Sequence, residues 1–92
     1  MRAVEFKKSF DRAYKRLSLP EMEKVDHAVE KLFSSLEDSQ VPQGLGLKRL
    51  QEDQWEIRVD LRLRVGFRMK KDLVEFAIVG DHDSIRKFLK NI

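Results

Sequence analysis

The sequence predicts a single α+β domain spanning residues 1–92, with elements in the order β-α-α-β-β-β-β-α. An N-terminal helical hairpin packs on a mostly antiparallel sheet, and a short helix closes the chain. Three observations lead there. Up to about residue 37, apolar residues recur at three- and four-residue spacing, the period of an amphipathic helix. From Leu47 onward the period switches to two, as in half-buried strands. Between the two regimes, Pro42, Gly44 and Gly46 mark a loop over 39–46.

Taken in order, Val4 and Phe6 lie in a short extended start. Phe10, Ala13, Tyr14 and Leu17 form the stripe of a short helix. Ser18-Leu19-Pro20-Glu21 has the form of a helix start: Ser18 can cap, Glu21 completes a capping box, and proline is tolerated in a first turn. The second helix carries Met22, Val25, Ala28, Val29, Leu32, Phe33 and Leu36 on one face and ends near Leu36 or Glu37. So short a connection implies an antiparallel hairpin. Leu47–Leu50 is a short strand and Gln51-Glu52-Asp53 a turn. Gln54–Val59 and Leu61–Lys70 are strands, and a turn near Lys71-Asp72 leads into Leu73–Val79. Gly80 and Asp81 end the sheet. Asp81 or Asp83 can cap the last helix, with Ile85, Phe88, Leu89 and Ile92 facing inward. Trp55, Phe67 and Phe76 fall among the aliphatic residues of their strands and are assigned to the core.

Composition narrows the function classes. No apolar run approaches membrane-spanning length, and the N-terminal residues lack the apolar stretch of a signal peptide, which together lead us to expect a cytoplasmic protein with no membrane partner. With no cysteine there is no disulfide, thiolate metal site or cysteine nucleophile. Asp81, His82 and Asp83 are too few and too crowded to argue for a metal site, and no motif calls for a cofactor. The formal charge of +3 is unevenly spread. Over residues 48–71, Lys48, Arg49, Arg58, Arg62, Arg64, Arg68, Lys70 and Lys71 face only Glu52, Asp53, Glu56 and Asp60. Period-two spacing gathers Arg58, Arg62, Arg64 and Arg68 into a guanidinium stripe on the second face of the sheet, suited to a phosphate backbone. Gly66 on the same face leaves room for a backbone or base to approach. The alternative for Arg64 is a surface arginine paired with Glu56 or Glu75 across the sheet. His27 lies off the apolar stripe of its helix and is assigned no role.

The order of elements resembles that of the RelE/ParE toxin superfamily, the small toxins of type II toxin–antitoxin pairs. The resemblance is carried by Leu47-Lys48-Arg49-Leu50, by Trp55-Glu56-Ile57-Arg58, by Leu63-Arg64-Val65-Gly66-Phe67-Arg68 and by Val79-Gly80-Asp81-His82-Asp83, and it covers essentially the whole chain. It implies the RelE-like fold, an antitoxin partner and, for RelE-like members, metal-free cleavage of messenger RNA at the ribosome. In that chemistry the ribose 2′-hydroxyl attacks the adjacent phosphorus, leaving a cyclic phosphate and a free 5′-hydroxyl.

The roles of individual residues follow from the resemblance. Arg64 matches the strand arginine set against the scissile phosphate, and Arg58 falls where members carry a second cation. His82 stands where nuclease members carry an arginine or histidine, and a histidine there can serve as general acid or base. Lys48 occupies the common Leu-Lys position and could contact a phosphate, as could Arg62 and Arg68. Two residues depart from the pattern. Glu56 stands where strongly ribonucleolytic members place a basic residue, so it is either a base or a repulsive charge. Phe88 stands near the usual tyrosine of the last helix, where it can stack on a base but cannot donate a proton. These departures motivate a second reading, a noncatalytic ParE-like inhibitor of DNA gyrase. A general RNA-binding module is a third.

Overall fold

The computed structural model describes residues 3–37 and 46–90. Eight elements appear in the expected order: β1 (Ala3–Phe6), α1 (Lys8–Lys15), α2 (Leu19–Glu37), β2 (Lys48–Gln51), β3 (Gln54–Arg58), β4 (Arg64–Met69), β5 (Leu73–Gly80) and α3 (His82–Lys90). The five strands make one sheet in the order β1-β5-β4-β3-β2. Only the β1–β5 pair is parallel; the other three pairings are antiparallel. The loop expected over 39–46 lies outside the described residues except for Gly46, and the expected inward positions of Leu36 and Ile92 lie outside the described side chains.

Alternation along the strands sends Ile57, Val65, Phe67, Val74, Phe76 and Val79 to one face, where they meet Phe10 of α1 and Val25, Ala28, Val29 and Leu32 of α2. Phe76 is the hub. It stacks on Phe6 with ring centroids 5.0 Å apart and meets Phe33 edge-on at 5.6 Å, with Phe10 and Phe67 also in contact. The expected core therefore forms, with Trp55 half-buried against it. Tyr14 ties α1 to α2 by donating its hydroxyl to Asp26 at 2.7 Å.

The helix start at Ser18 is a reciprocal capping box. The Glu21 amide donates to Ser18 Oγ at 3.3 Å, and the Ser18 amide donates to Glu21 Oε1 at 2.9 Å. A second local device sits in β5. The register between β4 and β5 slips after Gly66, leaving Ala77 as the extra residue of a bulge. Its carbonyl accepts a hydrogen bond from the Ser9 hydroxyl of α1, so the bulge is held by the helix above it.

Two expectations are corrected here. The strand expected over Leu61–Lys70 begins only at Arg64, because Asp60 closes a turn. Its Oδ1 accepts the amides of Arg62 at 2.8 Å and Leu63 at 2.7 Å, and the Val59 amide donates to the Leu63 carbonyl at 2.9 Å. Leu61, expected on a strand, is 94% exposed. The second face of the sheet is also not an open arginine surface, because α3 folds back over its β4–β5 half. Asp81 caps α3 by accepting the Ser84 amide at 2.8 Å. Ile85 is then buried completely, with Phe88 and Leu89 half-buried beside it.

Gly66 is the residue that lets α3 dock. A β-carbon there would lie 2.9 Å from Ile78 Cγ2 and 3.4 Å from Ile85 Cδ1. The space beside Gly66 is thus filled by α3, and the expectation of room for a ligand at Gly66 is withdrawn. Removing the side chain that fills it should loosen the helix. Ile85→Ala is expected to cost about 2–5 kcal/mol, read as a lower urea midpoint with a matching fall in α3 amide protection by hydrogen exchange.

Candidate active site at the end of the sheet

Three strands finish together at one end of the second face. Arg64, the first residue of β4, sits directly opposite Arg58 on one side and Gly80 on the other. His82 opens α3 two residues beyond Gly80. One step inward, Glu56 lies opposite Gly66 in β4 and opposite Lys48 in β2. The fold therefore gathers Lys48, Glu56, Arg58 and Arg64 on adjacent strands and places His82 at the same end of the sheet.

Arg64 is the most constrained of these. Its side chain is 13% exposed, so its charge has to be matched by nearby acceptors. Nε lies 3.3 Å from Glu56 Oε2, itself 7% exposed. Nη1 donates to the carbonyl oxygens of Asp60 at 3.0 Å and Leu63 at 3.2 Å, with Leu61 farther at 3.5 Å. One edge of the guanidinium is thereby fixed by the β3–β4 turn and by Glu56. Nη2 has no hydrogen-bond partner among the described residues. Of the two partners considered for Arg64 across the sheet, Glu56 is the one that pairs with it.

The remaining candidates divide by partner. Arg62 is not part of any stripe: it sits in the β3–β4 turn and pairs with Glu21 at the start of α2. Arg68 shares the face of Arg64 but is four residues along β4, where Nη2 meets Asp53 Oδ2 at 3.2 Å. Arg58 and Lys48 are exposed and make no ion pair with a described residue. The Arg58 Cβ lies under Gly46, which has φ +69; a β-carbon on Gly46 would come within 2.6 Å of it. His82 is exposed, with no side-chain hydrogen bond to a described residue. Phe88 lies one turn after Ile85 on α3 and is half-buried. Among the described residues, no group of three or more histidine, cysteine or acidic side chains could hold a metal ion.

Sequence reasoning missed Asp60. Its carboxylate holds the turn whose carbonyls grip Arg64, and Lys24 of α2 lies 3.5 Å from its other oxygen. The available signal was the aspartate between Val59 and Leu61, which keeps the polar phase of the alternation but is a residue type that hydrogen-bonds amides two and three positions ahead. The amides of Leu63 and Arg62, in that order, hold the Asp60 carboxyl below its usual range, with Lys24 adding to them.

The fold is that of small toxins from toxin–antitoxin pairs. Among solved structures, the chain is similar to RelE in the RelB–RelE antitoxin–toxin complex of Methanococcus jannaschii, with TM-score 0.69 and 17% identity over 91% of this chain and 96% of that one. It is similar to the Escherichia coli DinJ–YafQ complex, with TM-score 0.69 and 19% identity over 92% and 98%. It is also similar to YoeB, a dimer from Staphylococcus aureus, with TM-score 0.64 and 15% identity over 88% and 97%. No protein-family model and no curated protein sequence matches the chain. No helix among the described residues is long and apolar enough to cross a membrane.

The turn that holds Arg64 should respond to acid in a defined direction. Because the folded pKa of Asp60 is depressed, its contribution is complete above the ordinary carboxylate value near 4. It is lost as pH falls through the lower, folded value. The Arg62 and Leu63 amide resonances are therefore expected to hold steady from neutrality down to about pH 4 and to move only below it. Asp60→Ala should abolish that transition and leave both amides exchanging freely at neutral pH.

Proposed function

We propose that this chain is the toxin of a type II toxin–antitoxin pair, a metal-independent endoribonuclease that cuts messenger RNA at the ribosome and so inhibits translation. The observation that carries this reading is the pre-set Arg64 guanidinium, one edge gripped and the other open, beside Arg58 in a fold shared with RelE, YafQ and YoeB.

Metal-free cleavage needs stabilisation of the charge developing at phosphorus, a base for the 2′-proton and an acid for the leaving 5′-oxygen. Arg64 offers its free Nη2 to a non-bridging phosphate oxygen without first having to be ordered, which is where a fixed cation is most effective. Arg58 is exposed directly across from it and supplies a second positive charge to the same phosphate. His82, free of partners in the described structure, moves the proton: it gives one to the departing 5′-oxygen or takes one from the 2′-hydroxyl. Glu56 keeps Arg64 in place. Engaged with Nε and nearly buried, it acts as the anchor of the cation rather than as the base. Lys48, across from Glu56, lies where it offsets that carboxylate for an approaching RNA.

A protein partner is part of the proposal. On edge strand β1, Val4 and Phe6 are 43% and 45% exposed, and the groove beside them continues over Phe10, Tyr14, Val25 and Val29. An apolar surface beside an unpaired strand edge invites cover by a partner segment, and the antitoxin is the proposed source of that segment. Nothing in the site favours the gyrase-inhibitor reading motivated by Glu56 and Phe88, since Glu56 is accounted for as the anchor of Arg64 and Phe88 by its half-buried place on α3.

Induced expression followed by mapping of RNA 5′ ends tests the enzyme reading. Wild type is expected to arrest translation and generate new messenger ends. Arg64→Ala and His82→Ala should each reduce cleavage by roughly 10²–10³-fold while remaining folded. Glu56→Gln, which keeps a hydrogen-bond acceptor for Arg64, should retain most of it. Absence of both arrest and new ends in wild type contradicts the proposal.

A further inference from the structure

A second feature lies on the opposite face of the sheet and at its other end. Between the β2–β3 turn and the β4–β5 turn runs an open groove of about 490 Å³. Its floor is Trp55 and Met69, both half-buried, and Arg49, Lys70 and Lys71 stand exposed around it. Register explains the grouping. Trp55 pairs with Arg49 on one side and Phe67 on the other, so it shares the face of the core and packs against it, yet it is only half-buried.

We propose that this groove is a stacking site for a base of single-stranded RNA, a contact separate from the Arg64 centre. An indole and a thioether form a flat, polarisable floor, and base–aromatic stacking with cations along the backbone path is how single strands are held without sequence reading. The charges fit a phosphodiester. Of the two acidic residues at the groove, Asp53 is already engaged by Arg68 at 3.2 Å. Arg49 is steered along the rim by donating Nε to the Glu52 carbonyl at 2.6 Å, and it makes no ion pair with a described residue. Lys70 has Glu75 at 3.4 Å and Lys71 adds a third cation. A peptide partner could use the cations, but the flat floor favours a planar ring. Arg64 and Met69 sit at opposite ends of β4, roughly 17 Å apart, so the groove takes a nucleotide away from the scissile bond. The inference extends the RNA reading to a second contact, and its test does not depend on cleavage.

Trp55 is the sole tryptophan, so its fluorescence reports the groove directly. The probe is an oligoadenylate with 2′-O-methyl groups, which cannot be cleaved, compared with AMP and with inorganic phosphate. The oligonucleotide is expected to quench Trp55 saturably, AMP to do so only at much higher concentration, and phosphate not at all. Arg64→Ala should leave the quenching intact, which separates this site from the cleavage centre. Binding of a labelled oligoadenylate, followed by anisotropy, should weaken about tenfold in Trp55→Leu, stay near wild type in Trp55→Phe, and weaken in Lys71→Gln. Quenching that is absent, or that disappears in Arg64→Ala while surviving Lys71→Gln, overturns the proposal. So does an antitoxin segment that quenches Trp55 while the oligonucleotide does not, since it would assign the groove to a protein.

Discussion

A buried cation must be surrounded, and in this molecule the surroundings of Arg64 organise the whole end of the sheet. Its side chain is nearly out of solvent, so the free energy of leaving its donors unpaired is several kilocalories per mole. The structure answers with one carboxylate and three carbonyls. Those carbonyls belong to a turn that is itself tied down: Asp60 closes it, and Lys24 and Glu21 of α2 reach it through Asp60 and Arg62. The chain of contacts runs from a helix start through a turn to a guanidinium. An arginine held this way loses little conformational freedom when an anion arrives at its open edge, which is the physical meaning of pre-organisation.

Most of the fold was legible in the sequence, for reasons that can be named. Helical spacing before residue 38 and period-two spacing after Leu47 report how each element is half-buried, so element order and core follow from them. Phe67 and Phe76 could be placed because they keep step with Val65 and Val74. The capping box at Ser18 and Glu21 was visible because it is local. What failed was the stretch from Asp60 to Leu63. Its alternation mimics a strand, and only the competition of one carboxylate for two amides bends it into a turn.

The arginine stripe shows the same limit. Spacing gives the face of a residue but not its partner. Arg62 left the stripe with the turn and went to Glu21; Arg68 went to Asp53; Arg64 went to Glu56. Gly66 was misread because the identity of its neighbour, Ile85, is nineteen residues away in sequence and is brought back only by α3. Charge that looked like one continuous surface is instead a fixed cation with two exposed companions, Arg58 and Lys48, and a half-covered sheet. The candidate site is smaller than the sequence suggested, and better defined.

The central claim is that Arg64 is pre-set by Glu56 and the β3–β4 turn to receive a phosphate. The direct measurement is the Arg64 Nε–Hε resonance in a ¹⁵N NMR titration with an uncleavable 2′-O-methyl RNA strand. The account predicts a slowly exchanging Arg64 signal in the free protein, already protected, that shifts saturably on addition of RNA and whose protection is lost in Glu56→Ala. An Arg64 signal that exchanges as freely as that of an exposed arginine, or that does not move while RNA binds elsewhere, would contradict it.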